Sequence, residues 1–153
     1  MKFQTLAPEW GIAIIRVTAG LIIFVAALEK FFGGGFDGFT RAVTGMGMPL
    51  PQLWGIFIPL LELFGGALVL LGLGARWVAA LFVVEYAVTT FLIKVPRQPP
   101  FGGWDSLRID LMLLASSVML VLCGSGAFAL DNRRAARSAA ADRNAAAAGV
   151  SAK

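Results

Sequence analysis

Four ionisable residues interrupt runs that are otherwise apolar: Arg16, Glu62, Glu85 and Asp110. Lys30, Glu29 and Arg108 stand at the ends of such runs. Charge held in hydrocarbon is costly, so residues of this kind face a bundle interior or a polar cavity and are paired. Two chemistries are open to the set Arg16, Lys30, Glu62, Glu85 and Asp110. The residues can form internal ion pairs that fix helix register. Alternatively, they can line a polar cavity that binds a quinone headgroup or another small ligand, or relays protons. Carboxylates alone do not make a catalyst, and no nucleophile with its base is recognisable, so the chain is expected not to be catalytic on its own.

Helical spacing, at about 100° per residue, assigns each charge to a face. Arg16, Gly20, Ala27 and Lys30 share one stripe, and Glu29 points away from it. Gly55, Pro59, Glu62 and Gly66 share a second. Glu85 lies on a face with Val78 and Thr89. Asp110, Ser117 and Gly124 recur every seven residues. Small residues mark the side on which membrane helices approach closely, so these stripes predict inward-facing charges. Depth along the runs predicts two pairings. Arg16 should reach Glu62 or Glu85, where its planar fork can grip a carboxylate. Lys30 and Asp110, level with each other near one end, should form the second pair.

The elements that must position these groups are four apolar runs, about Trp10–Glu29, Gln52–Leu73, Trp77–Ile93 and Arg108–Leu130. At ~1.5 Å per residue each can cross, or nearly cross, a hydrocarbon core of ~30 Å. Leu71-Gly72-Leu73-Gly74-Ala75-Arg76 supplies the glycines and the charge for a tight reversal between the second and third. Lipid offers no partner to an open backbone, and a barrel needs many short alternating strands, so the spans are read as helices. Glu9 and Arg16 interrupt the first run, which is read as an uncleaved span and not a signal peptide. The fold class is therefore all-α integral membrane, a four-transmembrane-helix bundle over residues 1–130 followed by an Ala/Arg-rich tail over 131–153.

Composition agrees. Apolar residues make up 58% of the 153 residues before the 18 glycines are counted, and charged residues only 14%. Soluble domains sit nearer 45–50% apolar with glycine included and about 25% charged. Mean hydropathy is +0.80. The net charge of +4 reads as contact with membrane lipids and as an orientation signal, not as nucleic-acid binding. Five of the thirteen Lys and Arg residues lie after Leu130, with no aromatic residues among them on which bases could stack.

Lys2, Arg76, Arg133, Arg134, Arg137, Arg143 and Lys153 gather at the end that carries both termini. The other end has Lys30, Arg41, Lys94, Arg97 and Arg108. The excess predicts cytoplasmic termini. In the first outer loop, Phe36, Phe39 and Val43 fall at helical spacing opposite Asp37, Arg41 and Thr44, which predicts a short interfacial helix. The second outer loop, Val95–Ser106, is rich in proline and glycine.

Absences narrow the chemistry further. There is no histidine, and Cys123 is the one cysteine. The chain therefore has no internal disulfide, no Cys-x-x-Cys pair, no bis-histidine haem and no histidine-rich metal centre. Cys123, within an apolar run, is expected to be a small packing residue. No metal site and no cofactor bound by this chain are expected, apart from a quinone or lipid. Gly33-Gly34-Gly35 follows no strand and opens no Lys-Ser/Thr site, so it is not a phosphate loop.

Several local patterns resemble the DoxX family. They are Arg16, Gly20, Phe24 and Lys30; Gly47-Met48-Pro49-Leu50-Pro51; Glu62-Leu63-Phe64-Gly65-Gly66; Leu70-Leu71-Gly72-Leu73-Gly74-Ala75-Arg76; and Gly124-Ser125-Gly126-Ala127-Phe128-Ala129-Leu130-Asp131. The resemblance covers roughly residues 10–131. Ala27 stands where the family often has glycine, and the tail is outside the pattern. The resemblance implies a four-helix protein of the bacterial inner membrane, linked in some members to quinone-dependent sulfur oxidation, quinol oxidase complexes and oxidoreductase assemblies. With its ligand inventory, this chain is expected to be a small subunit of a larger membrane complex, quinone- or redox-associated, with other membrane protein subunits as partners and no redox centre of its own. The alternative is a purely structural subunit or assembly factor.

Overall fold

The computed structural model describes residues 8–96, 103–132 and 136–141. The second-loop residues 97–102 and most of the tail lie outside the described residues. Among the described residues every regular element is helical. Helix α1 runs Pro8–Phe32, α2 Gly35–Gly45, α3 Pro51–Leu71, α4 Ala75–Ala87 and α5 Trp104–Cys123. A π-helical segment, Val88–Lys94, continues α4. Among the described residues, three helices are long and apolar enough to cross a membrane: Pro8–Phe32, Pro51–Leu71 and Ala75–Lys94. Large side chains such as Ile14, Leu21, Phe64, Trp77 and Leu81 stand exposed along their outer faces. These are the faces that meet lipid.

The ends of the helices follow from local chemistry. Pro8 begins α1, where a missing N–H costs nothing. Leu50 precedes Pro51 in the left-handed region at φ 53°, and α3 starts at once. Gly72, at φ 67°, closes α3 with two reversed bonds, Gly72 N–H to Val69 O and Leu73 N–H to Leu68 O, both 3.0 Å. This Schellman arrangement favours glycine, and a Cβ at Gly72 would also lie 2.8 Å from Ala129 Cα. It makes the predicted reversal between the second and third spans.

The π-helix has a sequence cause. Val88, Thr89, Thr90 and Ile93 are β-branched and poor at packing into α turns. The Thr89 hydroxyl donates to Glu85 O at 2.8 Å, and Val95 N–H reaches back five residues to Thr90 O at 2.9 Å. Pro96 then blocks continuation.

The helices pack in two close pairs, α1 with α3 and α4 with α5, while α2 lies across α3 and α1. Glycines set the α1–α3 distance. A Cβ on Gly66 would lie 2.9 Å from Phe24 N, and one on Gly20 would lie 3.0 Å from Leu70 N. The α2–α3 approach is as tight, with Thr40 against Gly55. The core between the pairs is built from Ala19, Ile23, Val69, Ala79, Phe82, Tyr86, Leu113 and Leu120.

The fourth run ends differently from the sequence expectation of Arg108–Leu130. Helix α5 starts at Trp104 and stops at Cys123, because Gly124 adopts φ 84°, ψ −159°, a conformation open essentially to glycine alone. The next residues fold back over the end of the bundle. Ala127 N–H donates to Glu9 O at 3.0 Å, and Asp131 Oδ2 accepts from Gly74 N–H at 2.7 Å. Cys123 is exposed at this boundary and is not a core packing residue.

Candidate functional site

Packing register decides which charges meet. Gly20 faces Leu70, and Gly66 faces Phe24. In an antiparallel pair the numbers of level residues have a constant sum, here about 90 from both contacts. Arg16 is therefore level with the Gly72–Gly74 turn, and Glu62 is level with the turn of α1 that precedes Lys30.

The side chains follow that register, and both predicted pairings are corrected. Lys30 forms a buried ion pair with Glu62, not with Asp110. Asp110 on α5 instead pairs with Lys94, at 2.7 Å. Arg16 pairs with neither Glu62 nor Glu85. It is buried and donates to the backbone carbonyl of Ser125, in the segment that folds back after α5. Arg76 acts at the same end, donating to Val121 O and Leu122 O at 3.1 Å each. Arg16 is thus part of a clamp that holds α1, the α3–α4 turn and the end of α5 together.

The other four predicted residues come together. Lys30, Glu62, Glu85 and Asp110 line one cavity of about 190 Å³, with Lys94 as a fifth charged member. The stripe readings for α1, α3 and α5 hold: Arg16, Gly20 and Ala27, then Gly55, Pro59, Glu62 and Gly66, then Asp110 and Ser117 are buried. Glu85 stands at the edge of the buried face of α4, beside buried Phe82 and Tyr86. Its Oε2 is buried and has no hydrogen-bond partner. Phe39, Val43, Met46 and Met48, from α2 and the turn after it, roof the cavity. The Lys30 ammonium lies 5.4 Å from the Phe39 ring centroid, a cation–π distance.

Lys94 is the residue that sequence reasoning missed. It follows Glu85 by nine residues, about two and a half α-helical turns, which would put it on the opposite face. In the π-helix each residue turns through less than an α-helical step, so Lys94 comes round toward Asp110. The signal was the β-branched run before it.

If all five groups are ionised, two cations face three carboxylates, a formal charge of −1. Two carboxylates are compensated by contact. The third, Glu85, offers a buried oxygen to whatever enters the cavity. Unpartnered buried polar atoms are rare, and each calls for a functional or structural account.

The comparisons with known proteins agree with this architecture. The DoxX family model matches residues 11–95, which takes in α1 to the π-helix and stops short of the Gly124–Asp131 segment. "Putative oxidoreductase CatD" of Bacillus subtilis (strain 168) is 37% identical over 123 residues, covering 80% of this chain and 86% of that one. "Inner membrane protein YphA" of Escherichia coli (strain K12) is 27% identical over 125 residues, covering 78% and 87%. "Uncharacterized membrane protein Rv3486" of Mycobacterium tuberculosis (strain ATCC 25618 / H37Rv) is 26% identical, covering 88% and 93%. No solved structure matches the chain. A family match over more than half of the sequence, and a relative this similar along most of both chains, carry one conclusion: the chain belongs to the DoxX family of membrane proteins.

Proposed function

We propose that this chain is a small integral subunit of a larger membrane assembly of the bacterial inner membrane, quinone- or redox-associated, and that its charged cavity holds the polar headgroup of a quinone or lipid. The observation that carries the reading is Glu85. Its Oε2 is buried without a partner, on the wall of a cavity whose other charges are paired. A cavity of about 190 Å³ is below the ~300–1,000 Å³ of sites that enclose drug-sized ligands. It fits one substituted ring and no long chain. A quinone supplies reversible two-electron chemistry; Lys30, Lys94 and the carboxylates supply donors and acceptors for its ring oxygens. Redox centres belong to partners in this reading, since the sequence has no histidine and one cysteine. The name of the Bacillus subtilis relative, an oxidoreductase, is in keeping with it.

The same reading takes α5, 20 residues long, as a fourth span, and α2 as an interfacial helix with Asp37, Arg41 and Thr44 toward the polar phase. Both termini then lie in the cytoplasm. The alternative is a purely structural subunit or assembly factor. It is favoured by the Lys30–Glu62 and Lys94–Asp110 pairs, which would lock helix register with no ligand at all. Purification in mild detergent separates the two. The proposal expects co-purifying subunits together with a quinone or lipid recovered by extraction, and loss of that molecule in Glu85→Leu, which removes the polar contact. Subunits without such a molecule would leave the structural role.

A further inference from the structure

The charged cavity reaches the α3–α4 seam, where Ile58 and Glu62 face Glu85 and Tyr86 along its lining. Near the turn the two helices are locked, because Gly65 admits the Phe82 ring; a Cβ there would lie 2.7 Å from it. Toward the other end a second hollow of about 270 Å³ opens between them, walled by Phe57 and Leu61 on one side and Leu81 and Val84 on the other. Phe57, Leu81 and Val84 are exposed, so this hollow is a groove on the face that meets lipid. Its lining is apolar except where it borders the charged cavity. Met48, Ile58, Glu85 and Thr89 line both. Glu85 thus stands between the groove and the cavity, and one of its oxygens is buried without a partner.

Two other hollows among the described residues border the cavity. One, of about 340 Å³ between α1 and α2, shares Ala26, Lys30 and Phe39 with it, but Glu29, Lys30 and glycines line it, which suits water or a headgroup and not a hydrocarbon chain. The other, of about 260 Å³ between α1 and α5, shares Ile22, Ile109 and Leu113 with the cavity and has no charged lining residue. Of the three, the α3–α4 groove alone joins an apolar wall to a charged side chain at the junction.

We infer that the α3–α4 groove seats the hydrocarbon chain of the ligand whose head occupies the charged cavity, and that the ligand is admitted sideways from the bilayer past Glu85. This rests on the headgroup reading proposed above and names the ligand class more closely: a single polar ring or compact head bearing a long apolar chain. The cavity is too small for the chain, and the groove is continuous with it at Glu85, the carboxylate that no lysine pairs. A tail leaving through this seam stays in an apolar environment along its whole length, so no polar group is stranded in hydrocarbon.

The test uses the full chain in bilayer nanodiscs and a benzoquinone with a long alkyl chain that carries a photoreactive diazirine near the ring. After irradiation, adducts are mapped by peptide mass spectrometry. The inference expects adducts on α3 and α4 around Leu61, Leu81 and Val84, lost when unlabelled long-chain quinone competes. It expects the same loss in Val84→Trp, which fills the groove, and in Glu85→Leu, which removes the head contact. Thermal unfolding shows that each variant is folded, and either variant alone is sufficient. Competed adducts on Ile14 and Met112 of the α1–α5 groove would overturn the route while sparing the headgroup reading. Adducts on α3 and α4 that neither competitor nor variant reduces would mark a groove for bulk lipid chains and overturn both.

Discussion

Lys30 closes on Glu62 across the α1–α3 interface, although Glu62 is level with the preceding turn of α1. The Glu62 side chain is 7% exposed and that of Lys30 22%. A buried pair of this kind gives little net stability, but removing one partner strands the other. Lys30→Met is expected to lower stability by about 3–5 kcal/mol, and Lys30→Met with Glu62→Leu to recover most of it. Reversible unfolding in detergent measures both. A loss in the double variant equal to the sum of the losses in Lys30→Met and Glu62→Leu would show that the two side chains are not coupled.

Glycine contacts set the register that makes this pair. Gly66→Ala places a methyl 2.9 Å from Phe24 N, so the helices must separate, at a cost of about 1–3 kcal/mol. Gly11, exposed on α1 with nothing within 4 Å of a built Cβ, is the control. Gly11→Ala should stabilise by up to about 1 kcal/mol, because alanine loses less backbone entropy in a helix. The same unfolding assay reads both, and a neutral Gly66→Ala would contradict the close approach.

The inward faces were legible in the sequence because small residues and charges shared helical stripes. Their partners were not. Pairing depends on how far α1 slides along α3, and stripe periodicity is blind to sliding. Arg16 shows this best: its stripe was right, yet it lies level with Gly72, where a segment read as the end of a helix folds back instead. That segment looked helical because Ala127, Phe128, Ala129 and Leu130 are apolar; Gly124, in a conformation closed to other residues, decides otherwise. Lys94 was lost for a different reason, since an α-helical wheel cannot anticipate a π-helix.

The folded-back segment is held by Asp131, which accepts from Gly74 N–H in the manner of a helix cap. Asp131→Ala should cost about 0.5–2 kcal/mol and speed hydrogen exchange at the Gly74 amide. Asp131→Asn, which keeps an acceptor, should retain most of the protection. Unchanged exchange in Asp131→Ala would show that water serves the amide equally well.

Orientation is open to a direct assay. A reporter fused after Lys153 is expected to be active only if it is of the kind that functions in the cytoplasm, because Arg76 and the arginines of the tail lie at that end. Activity of a periplasmic reporter there would invert the assignment and leave the helix packing untouched.

The central claim is that Glu85 is the unpaired carboxyl of a ligand cavity reached from the membrane. A hydrophobic carbodiimide, which attacks carboxyl groups accessible from an apolar phase, tests it most directly in membranes containing the chain. The account predicts covalent modification at Glu85, little at Glu62 and Asp110 with their lysine partners, and slower modification of Glu85 when long-chain quinone is added. Modification spread equally over the three carboxylates, or a Glu85 rate that quinone leaves unchanged, would contradict it.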